Sequence, residues 1–361
     1  MLTGYEYCPG QKGDGLMEGL EKISKYAGMR EDLVQAGGGN SAVKTAPDRM
    51  AVKASGCQLA DVSSDSGFAL VDHSLIRDAF MNCADMAELT EEKSKKILSD
   101  AFIEGARPSI ETFLHAVSGK YSLHTHPITV NALCCRSNGR EELCRLFPEA
   151  LIVNYATPGA ELAKAYFTAY REYIKAGRGE PGAVFLMNHG LLVSGDTPEE
   201  VIEKTESITG RTEEYLGLDM SGYRAVTELW EMFTEGIIWR VTDINVLEMY
   251  RQMGAWDHCF CPDCVVFLGK KMFRVTSAQL DKGELKKFTE EYGTPVIIAR
   301  GNDLYIHAAS VRKAMEIQSV LSFSAQVMSV NGNTPCEYLT DRERDHLLNW
   351  EAEKYRLEAS R

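Results

Sequence analysis

An α/β or α+β domain over residues 1–235, followed by a smaller α/β unit over 236–361, is the architecture that the sequence predicts. Three observations carry it. Short β-type apolar runs alternate with helical periodicities up to about residue 235, the order of a layered fold. The length of 361 residues suits about two domains. The composition, 44% apolar and 25% charged, is that of a globular protein and excludes wholesale disorder.

The elements follow in chain order. Residues 16–35 read as a helix, with Leu16, Leu20, Ile23, Tyr26 and Leu33 at helical spacing. A glycine run, Gly37–Gly38–Gly39, comes next. Residues 42–45 and 50–54 read as two short strands joined by a turn at Pro47–Asp48. The polar, charged stretch 72–104 reads as helical, and 121–126 as a strand. Residues 151–155 and 183–187 are β-type apolar runs, whereas 159–176 and 198–215 read as amphipathic helices. In the second unit, 236–256 reads as a helix and Cys264–Leu268 and Pro295–Ala299 read as strands. A helix with Ala314, Ile317, Leu321 and Val327 on its apolar face ends at Asn331–Gly332. Thr340 and Glu343 form a capping-box pattern at the start of the last helix.

The formal charge of −13 argues against general nucleic-acid or anionic-membrane binding. An anionic substrate then needs a local site of backbone N–H groups or a metal. The opening segment, MLTGYEYCPGQKGDG, lacks a basic start and an apolar core, and the apolar runs fall far short of a ~20-residue span. Ten scattered cysteines without an export signal predict a reduced, cytoplasmic protein.

His124–Thr125–His126 is the strongest chemical signal. Residues two apart in a strand point to one face, about 7 Å apart, so both imidazoles can address a single cation. His189, in the turn-like segment between two β-type runs, is the third candidate, and Gly190 permits a tight turn there. Three histidines with an open fourth position match a catalytic rather than a structural zinc pattern. Taken singly, a His-x-His is common and a turn histidine is usually structural. Glu111 falls in the first turn of a helix begun by Pro108 and Ser109, where the helix dipole alone favours a carboxylate. On the residues alone that reading is the better one. His115, four residues on, could pair with Glu111 on one helix face, but a structural role is the preferred reading.

Gly37–Ser41 and Lys53–Gly56 are small-residue turns flanking the first hairpin, and together they could cradle a phosphate. Gly37-x-Gly39-x-x-Ala42 matches a dinucleotide fingerprint in form only, because a helix precedes it and a strand follows. The run His258–Cys259–Phe260–Cys261–Pro262–Asp263–Cys264 resembles a second metal site, but Cys-x-Cys-x-x-Cys is not the usual pair of knuckles, and chance is the preferred reading.

The order GGGNSAVK, VKASG, RPSIETFLH, HTHP, NYATPGAELAKA, FLMNHGLLVSGDTPEE, over roughly residues 20–215, resembles the class II aldolase/adducin family. The likeness is greatest to the aldolase half of bifunctional rhamnulose-1-phosphate aldolase/alcohol dehydrogenases. It continues through PDCVVFLG, PVIIARGNDLYIH and LLNWEAEKYR into their connecting region. Because Arg361 falls where their dehydrogenase domain begins, the expectation is an aldolase half without a nicotinamide site. The resemblance implies a three-layer αβα domain, with His124, His126 and His189 as ligands of zinc or another divalent metal. It implies Glu111 as catalytic acid/base, and Gly39, Asn40, Ser55, Gly56 and Ser109 as the phosphate site. Ile110 stands where some members have a second serine, though the bifunctional relatives share the isoleucine, and Ala42 stands where many members have serine. The implied reaction is cleavage of a ketose 1-phosphate to dihydroxyacetone phosphate and a short aldehyde. Phosphopentose 4-epimerases share the metal site and the bond cleavage, and adducin-type relatives keep the fold without the histidines. The resemblance also implies a homo-oligomer, usually a tetramer, acting on a small sugar phosphate.

Overall fold

The computed structural model describes residues 14–253, 259–276, 280–332 and 334–349. The amino-terminal segment, His258 and the end of LLNWEAEKYR lie outside these residues. The chain divides into two compact units, Met1–Met220 and Ser221–Arg361.

In the first unit the elements are α1 (Asp14–Gly28), β1 (Asn40–Lys44), β2 (Arg49–Lys53), β3 (Phe68–Asp72), α2 (His73–Met81), α3 (Glu91–Ala101), β4 (Phe102–Gly105), α4 (Thr112–His115) and β5 (Tyr121–Thr125). They continue with α5 (Ile128–Cys134), α6 (Gly139–Leu146), β6 (Leu151–Val153), α7 (Ala160–Lys175), β7 (Ala183–Leu186), β8 (Gly190–Gly195) and α8 (Pro198–Leu216). Eight strands form one sheet in the order β4-β3-β2-β1-β5-β8-β7-β6, antiparallel except for β6 beside β7. Alternating strand residues feed two large cores and a smaller one of Ala42, Met50, Val52, Ala69 and Val71. Val43, Ala51, Leu123 and Val193 pack with Leu20, Ile23, Tyr26 and Val201 under α1, α5 and α8. Val184, Leu186 and Leu192 pack with Ile76, Phe80, Phe113 and Phe167 under α2, α4 and α7. Helices thus cover both faces of the sheet, giving the three-layer αβα arrangement. The ends of α8 follow capping rules: the Thr197 hydroxyl accepts from Glu200 N–H, Pro198 sits in the first turn, and Gly217 closes the helix at φ 66°.

The stretch 72–104 is not continuously helical. It splits into α2 and α3, and β3 and β4 flank them. β3 hides in the sequence because only Ala69 and Val71 of its five residues are buried, and its last residue, Asp72, also caps α2 through its side chain. β4 is an exposed edge strand without an apolar alternation.

The second unit holds α9 (Ser221–Trp230), β9 (Ile237–Arg240), α10 (Ile244–Met253), α11 (Pro262–Leu268), β10 (Phe273–Val275), α12 (Lys282–Tyr292), β11 (Ile297–Arg300), β12 (Asp303–Ala308), α13 (Val311–Asn331) and α14 (Asp341–Asn349). Its sheet runs β10-β11-β12-β9. The boundary at Met220 comes earlier than residue 235 because α9 packs on β9. Arg240 lies over the Tyr223 ring, and the Tyr305 hydroxyl donates to the Gly222 carbonyl. Two readings are corrected. Residues 236–256 begin as a strand, β9, before α10, since Ile237 and Ile238 pair with β12. Cys264–Leu268 is helical, because Pro262 opens a turn and the short apolar run has no strand partner. The capping box at Thr340 and Glu343 is formed in both directions. Among the described residues, no helix is long and apolar enough to cross a membrane.

Candidate metal centre

β5 and β8 are neighbours in the large sheet, and the site forms at their ends. His124 is fully buried and pairs across the ladder with Asn40 of β1 and Leu192 of β8. Directly opposed residues in antiparallel strands share a face, so Asn40 and Leu192 flank this imidazole. Leu192 belongs to the core under α4 and α7, which fixes the face. His126 follows the strand end, where its N–H donates to the Leu33 carbonyl at 2.7 Å. His189 lies in the β7–β8 turn. Asn188, one of the few residue types at ease in the left-handed region, has φ 55° and donates its N–H to the Cys134 carbonyl at 3.3 Å.

The three rings converge. His124 Nε2 lies 3.1 Å from His126 Nε2 and 3.3 Å from His189 Nε2. Glu111 Oε1 lies 3.6 Å from His124 Nε2 and 3.4 Å from His189 Nε2. One donor atom from each of these four residues lies within 4.8 Å of the others. The Leu191 carbonyl, 3.0 Å from His124 Nδ1, accepts a hydrogen bond from it and turns Nε2 toward the cluster. Burial, with His124 and His189 nearby, pushes the His126 ring down to about 3, so this ring is neutral. Imidazole nitrogens beside a carboxylate are a donor set that fits zinc or a similar divalent ion.

Glycines keep the space open. A Cβ at Gly190 would stand 2.3 Å from the Thr125 carbonyl oxygen and 3.0 Å from His126 Cδ2. At Gly38 it would stand 3.0 Å from His126 Nδ1.

Glu111 is the N-cap of α4 but makes no side-chain cap bond. Its carboxylate turns to the imidazoles instead, so the dipole reading gives way. Burial works against the charge, yet His124 and His189 outweigh it and hold the carboxyl well below the usual range. Ser109 Oγ accepts from the Glu111 N–H at 3.2 Å, fixing the turn before α4. The sequence-level Glu111–His115 pairing is not formed. His115 is fully buried and its Nδ1 meets Ser122 Oγ at 2.7 Å.

The two small-residue turns flank this cluster. Gly39, at φ 74°, leads into Asn40, whose side-chain oxygen and nitrogen are both buried and have no hydrogen-bond partner among the described residues. An unsatisfied buried amide is costly and is a mark of a ligand site. Ala54 bridges Pro108, and the Ser55 N–H donates to the Arg107 carbonyl at 2.8 Å. The Ser55–Gly56 turn therefore adjoins the stretch carrying Ser109 and Glu111. Lys53 had no assigned role in the sequence. Buried at the end of β2, its Nζ lies 3.5 Å from the Gly37 and Ala54 carbonyls, so it links the two turns. Burial lowers its pKa. A lysine at an inward strand position beside a small-residue turn was the available signal.

Arg30, 1% exposed, supports the loop bearing the glycine run. It makes two 2.7 Å bonds to Asp32 and one of 2.7 Å to Glu206 of α8.

Two other buried rings set a pH dependence. Burial, aided by Lys44, takes His73 down to about 4, and burial, aided by His124, takes His115 to about 3. The unfolded chain protonates both near 6.5. Between these values the unfolded state binds more protons, so stability rises with pH there and is lost as pH falls from about 6.5, by up to about 1.4 kcal/mol per pH unit per ring. The urea midpoint is expected to be lower at pH 5 than at pH 7, with a smaller drop in His73→Gln. Equal midpoints in the wild type would contradict this.

Over residues 20–216, more than half of the chain, the sequence matches the Class II Aldolase and Adducin N-terminal domain. The chain belongs to the class II aldolase/adducin family. A Bacillus subtilis (strain 168) protein named uncharacterized oxidoreductase YuxG is 30% identical over 218 residues, which are 56% of this chain and 30% of that protein. The chain thus spans under a third of that relative's length. The N-terminal class II aldolase domain of a conserved protein from Thermoplasma acidophilum has a TM-score of 0.48 at 24% identity, covering 59% of this chain and 99% of that one. L-fuculose-1-phosphate aldolase from Thermus thermophilus has a TM-score of 0.35 at 18% identity, covering 60% and 96%.

Proposed function

We propose that this class II aldolase/adducin family member is a metal-dependent lyase. It cleaves a ketose 1-phosphate, such as rhamnulose 1-phosphate, into dihydroxyacetone phosphate and a short aldehyde. The observation that carries the reading is the gathering of Glu111 with His124, His126 and His189 within 4.8 Å. The three histidines would hold zinc or another divalent ion. When bound, that ion supplies Lewis-acid stabilisation of negative charge on the donor oxygens, without a Schiff-base lysine or a nicotinamide. Glu111 carries the proton at the donor carbon, delivering it after cleavage and removing it in the condensation direction. Gly39, Asn40, Ser55, Gly56 and Ser109 bind the phosphate, and Lys53 adds positive charge between their two turns. The protein works in the cytoplasm as a homo-oligomer, the assembly and setting that the family resemblance and the scattered thiols support.

The test is incubation with a panel of ketose 1-phosphates and pentulose 5-phosphates while trapping free aldehyde. Aldehyde release that stops with chelator and returns with zinc is expected. An isomeric pentulose phosphate formed without trapped aldehyde would replace the lyase by a 4-epimerase. Asn40→Ala should raise KM for the phosphorylated ketose by about 10–100-fold with little change in kcat, since a hydrogen bond to a charged group contributes about 1.5–3 kcal/mol. An unchanged KM would remove Asn40 from the phosphate site.

A further inference from the structure

The second unit carries a pair of thiols that the lyase chemistry leaves unused. Cys261 is the N-cap of α11, and Cys264 lies in its first turn. Their sulfurs are 3.2 Å apart. Cys261 is partly exposed, whereas Cys264 is 1% exposed and its sulfur lies 3.0 Å from Ser324 Oγ of α13. Burial, with the neighbouring sulfurs adding to it, pushes the Cys264 thiol up to about 12.

We propose that Cys261 and Cys264 form a reversible dithiol–disulfide site that reacts with low-molecular-weight disulfides of the glutathione-disulfide class. The Cys-x-x-Cys spacing puts both residues on one side of a helical turn. A shift of about 1.2 Å brings the sulfurs to the bonding distance of about 2.0 Å. Access assigns the order of events. The Cys261 thiolate attacks one sulfur of the small disulfide, forms a mixed disulfide and expels one thiolate. Cys264 then gives up its proton, attacks the Cys261 sulfur and expels the second thiolate. Two protein thiols are oxidised, and one small disulfide is reduced to two thiols. A metal reading is weaker. Among the described residues, the only cluster of three or more metal-type donors within 4.8 Å of one another is the Glu111–histidine group, so Cys259, Cys261 and Cys264 do not make a second one.

The test uses the full chain in buffers of graded glutathione to glutathione-disulfide ratio, followed by alkylation, proteolysis and mass spectrometry. The peptide holding both cysteines is expected to lose two hydrogens at the oxidising end and regain them with dithiothreitol. Cys264→Ser should trap glutathione on Cys261, whereas Cys261→Ser should leave Cys264 unmodified. The proposal is overturned if the wild-type peptide stays alkylated at both sulfurs throughout. It is also overturned if Cys264 in Cys261→Ser takes glutathione as fully as Cys261 does in Cys264→Ser. A second bound zinc equivalent lost in the double serine variant would equally replace it with a metal site.

Discussion

Glu111→Gln is expected to lower turnover by about 10²–10⁴-fold while zinc stays at one equivalent per chain. The amide keeps the volume of the side chain but cannot accept and return the proton. The wild-type Oε1 lies 3.4–3.6 Å from two imidazole nitrogens, so the substitution alters the carboxylate beside the cluster without touching the three rings. Steady-state kinetics and metal analysis on one preparation separate the possibilities. If metal content falls in step with activity, Glu111 is chiefly a ligand. If activity survives, the acid/base role is wrong.

Gly190→Ala should have the second large effect, and it acts through packing rather than charge. The new methyl group would meet the Thr125 carbonyl at 2.3 Å and the His126 ring at 3.0 Å. The carbonyl is backbone and cannot step aside, so β5 and β8 must separate at the point where they carry the histidines. Overpacking of this kind costs about 1–3 kcal/mol. The expected result is a clear fall in both melting temperature and zinc content. Gly210→Ala, a position with nothing within 4 Å of an added Cβ, is the control and should leave both unchanged or slightly improved. Full zinc loading in Gly190→Ala would show that the ring positions do not depend on this contact.

The parts of the site legible in the sequence were those with a local period. His124 and His126 share a face because strands alternate, and the hairpin turns announced themselves through glycine. The third ring joins from 65 residues away, a meeting set by the β5–β8 register that no spacing reveals. Glu111 obeyed a local rule, the carboxylate at a helix start, and that rule concealed its true neighbours. Lys53 had only a weak signal, its inward place at the end of β2 beside a small-residue turn. The same limits governed the fold. α7 and α8, with long apolar stripes, were readable. β3, β4 and the turn of helix at Cys264–Leu268 were not, because runs of four to seven residues are too short for period to separate strand from helix.

The cluster has an uneven foundation. Two of its imidazoles hang from paired strands or their immediate ends, and the third from a tight turn pinned by the Cys134 carbonyl. Glu111 alone arrives from a four-residue helix start outside the sheet, steadied by the Ser109 turn. A lineage could therefore retune what is done to the substrate by rewriting the segment from Arg107 to Thr112, while the ion's seat passes down unaltered.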